Sequence, residues 1–174
     1  MITLADLNLL ERENILEARR WLFGPRRKLA PQELLDHLLI REIHRRMFRR
    51  VWRWAGKQRD IELNLGVAVS EITLRLANLL GDAKAWLDYE TYSPDEICVR
   101  VHHELVAIHP WRNGNGRHAR LIADRLAIAL ERPIFTWGGG SELTAKSDTR
   151  DNYLSALKSA DQGDFAQLIR FART

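Results

Sequence analysis

Ten glycines and five prolines are gathered into a few short breaks, and between the breaks apolar residues recur every three or four positions. That punctuation constrains the chain more than any other feature. Such spacing places apolar groups on one face of a helix, whereas a half-buried strand needs strict alternation. Helices are expected from Ala5 to Phe23, stopped by Gly24-Pro25, from Gln32 to Trp54, begun near Pro31 and ended by Gly56, and from Glu71 to Tyr89. Another starts at Ser93-Pro94-Asp95-Glu96, with serine as the cap and proline in the first helical position. It weakens at His109, because the residue before Pro110 is disfavoured in helical geometry. Further helices are expected from near Asn115 to just before Pro133, from Ser147 to Ala160 and from Phe165 to Ala172, with a Gly-rich loop at Thr136 to Ser141. Only residues 57–70 read differently. There Ile61, Leu63 and Leu65 alternate with Glu62 and Asn64 before Gly66, a short strand or hairpin signal. The expected fold is mainly α, a helical bundle with one small β-hairpin.

At 174 residues the chain is sized for one domain and can bury a core without disulfide staples. The single cysteine, Cys98, excludes a disulfide framework and a multi-cysteine zinc site, and it reads as a small core side chain. Lys and Arg number 27 against 23 Asp and Glu, a net +4 that permits an anionic partner without requiring one. No apolar run approaches the roughly 20 residues of a membrane helix. The N-terminal MITLADLNLLERENILEARR carries acids inside a helical pattern and does not read as a signal peptide, so a cytoplasmic location is expected. The run 45–54 mixes five arginines with aromatics, which suits nucleic acid. However, Met47, Val51 and Trp54 lie on the apolar stripe, so its arginines read as a solvated face and a nucleic-acid partner is not expected. The oligomeric state stays open, a homo-oligomer included.

The segment 109-HPWRNGNGRHAR-120 carries the chemistry. A helix ends, a glycine-containing loop turns, and a new helix begins near Asn115. Gly114 and Gly116 let backbone N–H groups approach a ligand closely. A helix N-terminus presents unpaired N–H groups and a partial positive charge, a ready anion site. Arg117 stands in the first turn, where its guanidinium can fork onto phosphate oxygens, and Arg120 projects from the neighbouring surface. His109 sits just before the loop, with an unperturbed pKa near ~6.5 that suits a general base. A base beside a phosphate cradle is what phosphoryl or nucleotidyl transfer to a hydroxyl needs. His102 and His103 precede it without the close-spaced acid of a metalloprotease motif, so packing or hydrogen bonding is expected of them. The loop 138-GGG-140 lacks the Lys-Ser/Thr of a phosphate loop and reads as a turn.

These residues resemble the Fic family, whose motif reads HPFx(D/E)GNGRxxR. His109, Pro110, Gly114, Asn115, Gly116, Arg117 and Arg120 match it in register, and Trp111 replaces phenylalanine as the aromatic anchor. The stretches ENILEA and HRRMFRRVWRWAG are similar to a bacterial branch called mobile mystery protein B, so the resemblance spans most of the chain, as one Fic domain with residues 1–23 as an N-terminal, inhibitory helix and 24–174 as the core. The resemblance implies a protein adenylyltransferase that moves AMP from ATP to a Ser, Thr or Tyr hydroxyl. His109 would be the catalytic base, Gly114, Asn115 and Gly116 would hold the α- and β-phosphates, and Arg117 and Arg120 would complete the phosphate site. Mg²⁺ would accompany ATP. A phosphate-transferring relative, Doc, has lysine at the position of Gly116, so the glycine here implies nucleotidyl transfer. The metal-holding acid of the motif is replaced by Asn113, whose uncharged amide implies weaker or altered metal use. A nucleotide-binding module without transfer, AMP removal, or use of another nucleotide are the alternatives.

Many Fic proteins carry an inhibitory glutamate in a motif (S/T)xxxE(G/N). Glu13-Asn14 fits its end, with Leu9 in the Ser/Thr position, and the resemblance implies a pair between Glu13 and Arg120. In Fic proteins a hairpin flap holds the protein substrate by strand pairing, and Ile61, Glu62, Leu63, Asn64 and Leu65 are placed there by order and alternation.

Overall fold

The computed structural model describes residues 4–139, 143 and 147–174; residues 1–3, 140–142 and 144–146 lie outside the described residues, and with them Gly140 and Ser141 of the expected Gly-rich loop. The described chain builds α1 (Leu4–Leu22), α2 (Pro31–Leu34), α3 (His37–Phe48), α4 (Ile72–Asp88), α5 (Pro94–Ile108), α6 (Asn115–Ala129), α7 (Asp148–Asp161) and α8 (Ala166–Arg173). The mainly α bundle expected from the spacing is the fold. Helices α5 and α6 pack side by side at its centre, α4 and α8 cover α5, and the α1–α3 pair closes the side near α6. The stripe Ile97, Val101, Leu105 and Ile108 is buried in this core, as are Ile122, Ala123, Leu126 and Ala127 of α6. Cys98 is wholly buried among them, and burial pushes its thiol pKa far up.

Helix starts follow local chemistry. Ser93 Oγ accepts from the Glu96 N–H at 3.3 Å at the head of α5, and Ser147 does the same for Arg150 at 3.2 Å at the head of α7. The single helix expected over Gln32 to Trp54 is instead divided. Asp36 caps α3, its Oδ1 accepting from the Leu39 N–H at 2.9 Å, so the chain breaks between α2 and α3. The far end stops at Phe48, not Trp54. There Asn14 of α1, almost wholly buried, donates to the Arg46 carbonyl at 2.8 Å and accepts from the Arg50 N–H at 3.0 Å. These are groups that a continuing helix would otherwise occupy, and they lock α1 onto the end of α3. The chain then folds back, with the Gly56 N–H donating to His44 Nδ1 at 2.9 Å.

Residues 57–68 form a loop rather than a β-hairpin, followed by one 3₁₀ turn at Val69–Glu71. Among the described residues, the β contact there is one isolated antiparallel bridge between Gln58 and Trp111. The carbonyls of Ile61 and Val67 are turned onto the Arg59 guanidinium instead of onto a partner strand. The arginine-rich run is a solvated face: Arg45, Arg49, Arg50 and Arg53 are exposed, Met47 is buried, and Glu42 and Glu17 pair with Arg45, Arg46 and Arg50. His102 meets the Tyr153 hydroxyl at 3.0 Å and His103 meets Asp161 at 2.7 Å, so both serve hydrogen bonding and packing. Among the described residues no helix is long and apolar enough to cross a membrane.

Candidate active site

The site forms where α5 ends and α6 begins. Helix α5 stops because His109 adopts a left-handed conformation, φ 54° and ψ 58°, with its N–H still bonded to the Leu105 carbonyl at 3.2 Å. That conformation is uncommon for a side-chain-bearing residue and turns the chain sharply into the loop. The imidazole is half-buried. Burial lowers its pKa from the ordinary value and the Arg59 charge lowers it further, while a hydrogen bond to the Val106 backbone pulls the other way. The ring is therefore neutral at pH 7. A neutral imidazole carries one protonated and one bare nitrogen, and the bare one is what a general base requires.

The loop that follows is held from inside. Trp111 is buried, and its backbone is clamped by Asn115, whose Oδ1 accepts from the Trp111 N–H at 3.0 Å and whose Nδ2 donates to the Trp111 carbonyl at 2.9 Å. The Asn115 side chain is thus consumed by the loop; only its backbone N–H can serve a phosphate. His44 stacks on Trp111 with centroids 4.4 Å apart, and its Nε2 bonds the Asn113 carbonyl at 3.1 Å. Since Gly56 donates to its Nδ1, the Nε2 carries the proton, and burial drives its pKa down to about 2, so His44 is a neutral strut. His118 accepts from Trp111 Nε1 at 3.2 Å and bonds the Ile40 carbonyl at 2.9 Å, a second strut.

Helix α6 starts at Gly114, φ 78°, with no side-chain cap. The first-turn N–H groups of Asn115, Gly116 and Arg117 have no carbonyl within the helix to bond. They stand at the positive end of a 15-residue helix, an arrangement able to hold an anion. Gly114 is required twice over: its φ suits glycine, and a Cβ there would overlap the Phe48 ring. Gly114→Ala is expected to lower stability by about 3 kcal/mol in a denaturant titration, the combined effect of strain and overpacking. Arg120 folds back over this turn, its Nη1 lying 3.5 Å from where a Gly116 Cβ would be. Arg117 and Arg120 also border a cavity of about 310 Å³ with Arg19, Asp124, Trp137 and Leu143. Burial raises the Asp124 pKa there, against the stabilising contacts of Trp137 and Arg19.

Three expected site assignments need correction. Glu13 is exposed, and among the described residues no ion pair joins it to Arg120. The carboxylate in the site is Glu11, 8% exposed, which pairs with Arg117 Nη1 and accepts from Trp52 Nε1 at 2.8 Å. Glu11, Asn14, Ala18 and Leu22 are buried at spacings of three and four, one helical stripe, and Glu13 stands 100° away from Asn14 around the helix. The segment Ile61–Leu65 has no strand ladder, as described above; Ile61 and Leu65 are exposed, while Glu62 turns back to accept from the Val69 N–H at 2.9 Å. Asn113 is exposed, and its Oδ1 already accepts from the Gly114 N–H at 2.6 Å. Among the described residues no group of three His, Cys, Asp or Glu could hold a metal. One neutral, engaged oxygen does not fit a protein-built Mg²⁺ site.

Sequence reasoning missed Glu11, His44 and Arg59. The stripe through Asn14 and Ala18 could have pointed to Glu11, and the position of His44 in an apolar stripe to a buried strut. Nothing in the sequence singled out Arg59.

The Fic/DOC family model matches residues 34–127. The protein adenylyltransferase Fic of Drosophila yakuba is 30% identical over 136 residues, 76% of this chain and 26% of that protein. Its namesake in Nematostella vectensis is 29% identical over 136 residues, 76% of this chain and 30% of that protein. The chain thus spans under a third of the length of these relatives. Among solved structures, BepC of Bartonella tribocorum, a VirB-translocated effector with bound AMPPNP, superposes with a TM-score of 0.72 at 17% identity, covering 99% of this chain and 87% of that one. Fic-1 of C. elegans gives 0.65 at 23% identity, covering 95% and 46%. The matched span carries the left-handed histidine, the glycine loop and the uncapped α6 start together, and the chain belongs to the Fic/DOC family.

Proposed function

We propose that this protein is an adenylyltransferase that moves AMP from ATP to a hydroxyl of a protein substrate. The observation that carries the reading is a neutral imidazole, His109, at one end of a loop whose other end is an uncapped helix start with Arg117 in its first turn. The bare nitrogen of His109 takes the proton of the incoming hydroxyl. The hydroxyl oxygen bonds to the α-phosphorus, the bond from that phosphorus to the oxygen bridging the β-phosphate breaks, and pyrophosphate leaves with the electron pair. The first-turn amides of α6 and the guanidinium groups of Arg117 and Arg120 hold the negative charge of the phosphates. Among the described residues no group of side chains builds a metal site, so Mg²⁺ brought in with ATP would have to draw on the phosphates for its ligands and would offset their charge.

The exposed Ile61 and Leu65 support a docking role for the 58–67 loop, through apolar contact rather than by adding to a strand. The Glu11–Arg117 pair supports internal inhibition: Arg117 must leave Glu11 to reach a phosphate. Asn113 favours one second reading, a nucleotide-binding module without transfer. Incubation with α-labelled and γ-labelled ATP separates the two. Label on protein from the α-labelled nucleotide alone is expected; calorimetric binding of ATP with no label on protein would instead establish the module.

A further inference from the structure

Arg59 is the most deeply buried arginine among the described residues, with 1% of its surface exposed, and it lies in the loop beside His109 rather than at the start of α6. Its backbone N–H donates to the Pro110 carbonyl at 2.9 Å. Its guanidinium spreads over three backbone carbonyls. Nε donates to the His109 carbonyl at 2.7 Å, Nη1 to that of Ile61 at 3.0 Å, and Nη2 to that of Val67. Glu62 stands 3.6 Å from Nη1 and balances the charge at the exposed edge. Gly66 completes the contact: a Cβ there would come within 2.5 Å of His109 Cβ and 3.0 Å of Arg59 Nη2. A buried arginine is costly unless its donors are satisfied, and here they are satisfied largely by main chain whose position matters to His109.

We propose that Arg59 is the positioning residue for His109: by gripping the His109 carbonyl it holds the left-handed turn that aims the imidazole, and by gripping Ile61 and Val67 it ties that aim to the loop that receives the protein substrate. Lysine cannot replace this grip, because one ammonium has no planar fork to span three carbonyls. The 58–67 loop and the base therefore move as one unit. The proposal rests on the reading of His109 as the base, and Arg59 itself touches no reacting atom.

The test compares Arg59→Lys and Arg59→Met in the full chain carrying Glu11→Gln. With α-labelled ATP, kcat is expected to fall about tenfold for Arg59→Lys and about 100-fold for Arg59→Met, with KM for ATP kept within about twofold, as for a displaced catalytic group in an intact nucleotide site. Unchanged kcat in both variants would overturn the proposal, as would kcat and ATP affinity lost together with the melting transition of Arg59→Lys. The backbone carbon NMR shifts of His109, which report its left-handed conformation, provide a readout independent of activity. They are expected to move in folded Arg59→Lys, and unmoved shifts overturn the proposal even where no variant transfers AMP. Moved shifts in a parent protein that transfers nothing would uphold the grip of Arg59 and count against His109 as the base.

Discussion

Replacing His109 with alanine is expected to lower AMP transfer by about 1,000-fold while ATP affinity stays within about twofold, the pattern of a lost general base. The phosphate cradle proposed above draws on α6 backbone and on Arg117 and Arg120, and not on the imidazole. The base acts only in the proton transfer, so the loss falls on kcat. The pH profile provides a second check. Burial and the Arg59 charge lower the His109 pKa below its ordinary value of 6.5, against the Val106 hydrogen bond. The neutral, active form therefore accumulates as pH rises through a midpoint below 6.5, and the rate is flat from neutral pH upward. This acid limb disappears in His109→Ala. Equal labelling of a protein substrate by both proteins would remove His109 from the mechanism.

Glu11→Gln is expected to raise transfer or ATP affinity by about tenfold to 100-fold, the range of one charged hydrogen bond converted to an equilibrium ratio. The substitution is chosen for shape: glutamine keeps an oxygen for Trp52 Nε1, which now bonds Glu11 at 2.8 Å, but it removes the charge that holds Arg117. Arg117 is 30% exposed on its side chain and borders the cavity, so once released it can turn toward phosphate. Glu13→Gln is the matched control. Glu13 faces solvent, and its substitution is expected to leave labelling unchanged. An increase with Glu13→Gln but not with Glu11→Gln would reverse the assignment; no increase with either would remove the inhibitory helix from the account.

Much of this protein is legible locally. The Ser93 and Ser147 caps, the stop before Pro110 and the apolar stripes of α5 and α6 arise from interactions within one or two turns. The loop 109–117 is legible for the same reason, since glycine placement and a helix start are short-range matters. Where the reading failed, a distant group intervened. Helix α3 ends at Phe48 because Asn14, 32 residues from Arg46, takes its carbonyl. The 57–70 hairpin did not form because one guanidinium collected the carbonyls that alternation alone assigned to a strand.

By itself, then, the sequence determined a helical chain with a histidine, a glycine turn and two arginines in one continuous segment, and hence the expectation of an anion site beside a base. The tertiary structure decided which carboxylate enters that site. Glu11 and Arg117 are 106 positions apart, and their meeting depends on the rotation of α1 against its neighbours. Each residue along a helix turns the side chain by about 100°, so a shift of two positions exchanges a buried face for an exposed one. Local spacing cannot set that rotation, because it is fixed by the burial of Asn14, Ala18 and Leu22 together. The grip of Arg59 on His109 arises in the same way, from main chain brought together only when the 58–67 loop folds against the end of α5.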